Sequence, residues 1–159
     1  PLSIVVSNLL KFGIQLFILI IFYLYFYFNG SDISPNFNIV YFPFLILLMG
    51  LLGLGLGMII SSMVTKYRDL TFLVGFGVQL LMYISLVVIP LSLFQEKGVE
   101  WLVMYNPMAY IIETGRFMLL NEGSVSQFGI IYMISSTIII LVLGVLVFNK
   151  TEKSFIDTI

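Results

Sequence analysis

The chain has 159 residues, 60% hydrophobic and 9% charged, with a formal net charge of −1. A soluble domain carries roughly 25% charged residues, so this chain cannot cover its own surface in water and its composition specifies an integral membrane protein. The lack of cysteine and histidine excludes disulfides, thiolate nucleophiles and the usual metal ligand and acid–base group, and the near-neutral charge argues against nucleic acid as a partner.

The first residues, Pro1–Asn8, lack the basic start of a signal peptide. The chain opens on Pro1 rather than Met, which reads as a fragment that has lost its beginning. Four apolar spans follow, at about 12–28, 39–64, 72–94 and 128–148. The runs are continuously apolar, whereas a membrane barrel strand alternates and is only about ten residues long. Backbone left unpaired in lipid is too costly for anything but helix. The expected fold is all-α: a polytopic membrane helix bundle of four transmembrane helices, with short re-entrant or interfacial outer helices, forming one membrane domain over 1–159.

The first span carries Lys11 at its start and Gln15 inside. Near its end stand Tyr23, Tyr25 and Tyr27. They fit an interfacial aromatic belt or a stacking surface for sugars; Tyr23 and Tyr27 share a face and Tyr25 points away. The loop Asn29–Asn38 holds turn residues, and Asn29-Gly-Ser31 matches a glycosylation acceptor, a short and common match. In the second span Gly53, Gly57 and Ser61 recur at every fourth residue. Such a face lets another helix approach closely, within the chain or in a second copy.

Thr65–Thr71 is the only charged interruption between Ile39 and Phe94. It separates 26 uncharged residues, Ile39–Val64, from 23 more, Phe72–Phe94; a crossing helix needs about 20. If the first span starts in the cytoplasm, that side receives Lys11, Lys66, Arg68, Lys150 and Lys153, and the outer side only Lys97 and Arg116. Five against two favours this orientation, with both ends of the chain inside.

The third span holds Gln79 mid-membrane and Pro90, which frees the carbonyl of Leu86 and loosens the outer end. Glu96–Gln127 is too long for a turn and too apolar for a solvated loop. Asn106 followed by Pro107 predicts a helix start, and Asn121-Glu122-Gly123 a stop after Leu120. Fourteen residues rise only about 21 Å, so this helix does not cross. It either dips into the outer leaflet after the short apolar piece Trp101–Tyr105, or lies flat as an amphipathic helix. Ile111, Ile112, Gly115, Met118 and Leu119 make one stripe, with Tyr110, Glu113 and Thr114 pointing elsewhere. Glu113 and Arg116 are spaced to pair, either as structure or as polar contacts along a path.

Lys66-Tyr-Arg-Asp-Leu70 after a glycine-rich span, Asn106-Pro-Met with Ile112-Glu113 and Arg116, and the closing Glu152-Lys-x-Phe155-x-Asp157 together resemble, in order and spacing, the permeases of polysaccharide-exporting ABC transporters, the O-antigen and teichoic acid type. The resemblance covers essentially the whole chain and implies the last four of six spans. The family often has a further proline ahead of the one matching Pro90; here that position is Leu86. The resemblance implies a bacterial inner-membrane permease that pairs with a second copy and with a cytoplasmic ATPase subunit, moving a lipid-linked polysaccharide. ATP and Mg would bind the ATPase, with no cofactor in this chain, which lacks a phosphate-binding loop. Lys66, Tyr67, Arg68, Asp69 and Leu70 become the ATPase-coupling loop. Trp101, Tyr105, Asn106, Pro107, Tyr110, Glu113 and Arg116 become the outer gate or substrate path, and Gly53, Gly57 and Ser61 the helix-packing face. Export of drugs or another small lipid-like molecule, or a structural membrane subunit, are the alternatives; no span carries a carboxylate, histidine or cysteine for a membrane enzyme.

A label placed at Glu100 or Glu122 is expected outside the cell, and a cytosolic position for either overturns this topology.

Overall fold

The computed structural model describes residues 2–30, 37–85, 104–121 and 125–156, which are helical throughout apart from the turns, with no strand among them. The elements are α1 (Leu2–Phe28), a 3-10 turn (Phe37–Tyr41), α2 (Phe42–Lys66), α3 (Leu70–Ile84), α4 (Pro107–Leu120) and α5 (Gln127–Ile156). Among the described residues three segments are long and apolar enough to cross a membrane: Leu10–Phe28, Phe37–Lys66 and Gln127–Glu152. They match three of the four expected spans. The expected third span is α3 as far as the described residues reach; its remainder from Leu86, with Pro90, lies outside them.

Local chemistry sets the helix ends. α1 stops where Asn29 turns back, both its backbone N–H (3.1 Å) and its side-chain amide (2.9 Å) donating to the Tyr25 carbonyl. Gly30 follows at φ 76°, the left-handed position that glycine takes without strain. Pro43 sits in the first turn of α2, where its missing N–H has no partner to lose. α2 ends on Lys66, a cation beside the negative pole of the helix.

The core lies where α2, α4 and α5 meet: Leu45 and Leu52 from α2, Ile111 and Met118 from α4, Met133 from α5. α2 and α5 form the main pair. Their buried positions run Leu45, Leu48, Leu52, Gly55, Ser62 on one helix and Gly129, Met133, Thr137, Gly144 on the other, each a stripe at three- and four-residue spacing. The buried hydroxyls on this seam bond their own helix: Ser62 donates to the Met58 carbonyl (2.8 Å) and Thr137 to that of Met133 (2.6 Å). Hydroxyls satisfied this way bring no unpaired polar group into a dry interface.

Midway along the seam the two backbones touch. A Cβ on Gly144 would lie 2.6 Å from the Gly55 carbonyl oxygen, and one on Gly55 would lie 2.9 Å from the backbone of Leu141. The intrachain packing face therefore runs through Gly55. Among the described residues a Cβ on Gly53 or Gly57 would meet nothing within 4 Å, and Ser61 is exposed. Of the two alternatives for Gly53, Gly57 and Ser61, packing within the chain is not what the described residues show. Positions two apart on a helix are separated by about 200°, so Gly53 and Gly57 face away from the side that Gly55 presents to α5.

Gly144→Ala is expected to destabilise the detergent-solubilised protein by about 1–3 kcal/mol, as overpacking does. Gly57→Ala should be neutral or slightly stabilising, since alanine is the better helix former. Thermal unfolding of the two variants side by side checks both.

Candidate functional site

The site residues divide between the two ends of α2. At one end is the turn that joins α2 to α3. Tyr67 is extended, and its N–H donates to the Met63 carbonyl (2.8 Å). Leu70 N–H donates to the Tyr67 carbonyl (3.1 Å), and the Thr71 hydroxyl to that of Arg68 (2.8 Å). Asp69 occupies the N-cap of α3 without its side chain capping. Lys66, Tyr67, Arg68 and Asp69 are all exposed and Leu70 is half-buried. The Lys66 ammonium lies 5.4 Å from the centre of the Tyr67 ring, within cation–π range. Beside this turn the ends of α2 and α5 enclose a cleft of about 220 Å³ lined by Ser62, Thr65, Phe148, Thr151 and Glu152, a feature that sequence reasoning missed because it joins residues far apart in the chain.

At the other end, about 36 Å away by helical rise, α4 is wedged among its neighbours. Asn106 caps it: Oδ1 accepts from Met108 N–H (3.0 Å), and Pro107 takes the first helical position. Asn121 closes it in the left-handed conformation at φ 56°, its N–H bonded to the Phe117 carbonyl (3.1 Å). Start and stop both agree with the sequence. No residue from Asn106 to Leu120 is exposed, so α4 is embedded and does not lie flat as a surface helix. Thr114, expected to point away from the apolar stripe, is buried with it; its hydroxyl is satisfied by the Tyr110 carbonyl (2.7 Å).

Tyr110 lies on α5 at Gly129, where a Cβ would come within 2.6 Å of its ring. Its ring meets Tyr132 edge-on at 5.6 Å, and Phe128 stacks on Tyr132 at 6.1 Å. The Tyr132 hydroxyl donates to the Tyr105 carbonyl (2.8 Å). Tyr110, Phe128 and Tyr132 thus form one aromatic cluster, tied to Tyr105 through its backbone carbonyl; of these four residues the sequence singled out only Tyr105 and Tyr110. Burial, and secondly Tyr132, push the Tyr110 phenol above its ordinary value near 10, so it remains a neutral hydroxyl.

Glu113 has a buried carboxylate oxygen, Oε2, with no hydrogen-bond partner among the described residues. Arg116 makes contacts of its own, but it does not bond that oxygen. It lines a cavity of about 490 Å³ between α1, α2 and α4, otherwise walled by apolar groups such as Phe22, Leu45 and Ile112. On the opposite flank of α4 a second cavity, about 450 Å³, is lined by Tyr41, Phe44, Phe117 and Ile134 among others. Trp101 lies outside the described residues. Among the three tyrosines of α1, Tyr23 differs from the rest: its hydroxyl donates to the Leu119 carbonyl (3.0 Å) and so ties α1 to the last turn of α4. Tyr25 and Tyr27 are exposed, as an interfacial belt requires.

The family profile for ABC-2 type transporters matches residues 1–120. Two O-antigen export system permease proteins RfbA from Klebsiella pneumoniae are 29% and 27% identical over 103 residues, 65% of this chain. The matched part is 39% of the length of either permease. No solved structure matches the chain.

Tyr23→Phe is expected to cost about 1 kcal/mol, the net worth of one hydrogen bond. Tyr25→Phe and Tyr27→Phe should leave stability unchanged. Equal effects at all three positions in thermal unfolding would remove the special role of Tyr23.

Proposed function

The chain belongs to the ABC-2 type transporter membrane family, and from that membership we propose that this ABC transporter permease exports a lipid-linked polysaccharide across the bacterial cytoplasmic membrane. The substrate class is supported by the similarity to the two O-antigen export permeases. In this reading both ends of the chain are cytoplasmic, a second permease copy completes the path, and a cytoplasmic ATPase subunit binds ATP and Mg. The exposed turn Lys66–Leu70 meets that ATPase, and α4 with Tyr105, Tyr110, Glu113 and Arg116 borders the outer part of the path.

The observation that carries the reading is the placement of two unlike features at opposite ends of α2. One end presents a tight, charged, exposed turn, suited to a protein partner in water. The other holds a short embedded helix with open space on two flanks. A transporter needs that combination, because binding work done at one face must rearrange packed helices at the other. A purely structural subunit needs the first feature and gives no account of the second.

Replacing Lys66, Arg68 and Asp69 together should abolish co-purification of the ATPase while the permease still folds; full retention of the ATPase defeats the docking role. Glu113→Ala or Arg116→Ala, in a complex that assembles normally, should lower export of the polymer by at least about tenfold, the loss expected when one polar contact to a substrate is removed. Unchanged export in both variants would favour the structural alternative.

A further inference from the structure

α3, like α1, packs loosely along its length, but it is held at both ends. None of its residues from Leu70 to Ile84 is buried, and the wall it shares with α2 opens into a cavity of about 720 Å³. At its first end it hangs from the tight turn Tyr67–Thr71. At its last end stands Ser85, 4% exposed, whose hydroxyl accepts a hydrogen bond from the Asn106 side-chain amide (2.8 Å). These residues are 21 positions apart in the chain, so the bond is tertiary and staples the end of α3 to the start of α4.

Asn106 therefore does two things with one side chain. Its oxygen caps α4 through Met108, and its NH2 group grips Ser85. Aspartate and serine cap about as well as asparagine does. Only the amide offers, from the same planar group, an acceptor for the cap and a donor reaching away from it. The cap explains the oxygen; Ser85 explains the nitrogen.

We propose that Asn106 is a positioning residue that makes α3 a strut: through Ser85, the turn Lys66–Leu70 sets where α4 begins. The proposal rests on the permease reading above. A helix gripped at both ends and loosely packed along its sides transmits displacement along its axis better than one embedded in a core. α2 and α5, locked through Gly55 and Gly144, are the frame against which it moves. Rigid elements with discrete arrangements are one carrier of coupling between sites, and proof of it needs a coupling measurement rather than proximity.

Two experiments test the strut. In the reconstituted permease–ATPase complex, Ser85→Ala removes the acceptor, and Asn106→Ser keeps a cap but is too short to reach Ser85. Each should lower polymer exported per ATP hydrolysed by roughly five- to tenfold, with assembly and ATP hydrolysis retained. The double variant should be no worse than either single one, because both break the same contact. Ser85→Thr, which keeps the hydroxyl, should restore the ratio. A normal ratio in Ser85→Ala, or additive losses in the double variant, overturns the proposal. The second experiment needs no transport and so separates failure of the strut from failure of the permease reading. The chain has no cysteine, so spin labels at Gln79→Cys on α3 and Phe117→Cys on α4 report the α3–α4 distance in the lipid-embedded permease alone. A narrow distance distribution in the parent that broadens with Ser85→Ala is expected; identical distributions overturn it.

Discussion

Backbone contact between Gly55 and Gly144 is the constraint on which the rest of the architecture depends. Lipid tails are as apolar as leucine, so helices in a bilayer gain little from hiding hydrophobic surface against each other; they associate by close packing and hydrogen bonds. A Cβ at Gly144 would stand 2.6 Å from the Gly55 carbonyl, so only a glycine pair permits this crossing. Once the crossing is fixed, Leu45, Leu48 and Leu52 on one side and Met133 and Thr137 on the other fall into register. The groove they leave at one end receives Ile111 and Met118 of α4. At the other end the same crossing brings Ser62 and Thr65 to Phe148 and Thr151.

The remaining helices are joined to this frame by few, identifiable contacts. α1 is tied at Tyr23 to the last turn of α4, and α3 at Ser85 to its first. Both ties end on α4, not on the α2–α5 pair. α4 is in consequence the element through which the loosely packed helices communicate with the core. Its two flanking cavities mean that it is held by named contacts at its ends and along one stripe, with room beside them. Dense packing makes interiors bistable rather than deformable; space on both flanks gives a helix alternative positions.

What the sequence made legible divides by range. The limits of α4 were readable because caps are local: Asn106, Pro107 and Asn121 act on backbone groups within a few residues. Three crossings were readable because hydropathy over about 20 residues is also local. The α2 face was not. Gly50, Gly53, Gly55 and Gly57 offer small residues on more than one side of the helix, and which side is used depends on where α5 carries Gly144, far away in sequence. The aromatic cluster was half readable. With 16% aromatic residues, Phe128 and Tyr132 had no local mark; their significance comes from Gly129, whose missing side chain admits the Tyr110 ring. Thr114 was misplaced because a hydroxyl reads as polar, although in a helix it can satisfy itself on the preceding turn and be buried like a small apolar group.

Glu113 is the residue that stability leaves unexplained. Threonine and serine on the same seam are neutralised by their own helices, and Asn106 and Tyr23 find carbonyl or hydroxyl partners across helices. Glu113 Oε2 is buried and finds none among the described residues. A carboxylate oxygen withdrawn from water without a donor costs several times what an ordinary hydrogen bond contributes, and any apolar residue there would avoid that cost. Pairing with Arg116 does not account for this oxygen, because Arg116 does not bond it. On the permease reading, an acid held at such a cost borders a path or a partner, and the proposed route for substrate passes Glu113 rather than the better satisfied hydroxyls of α5.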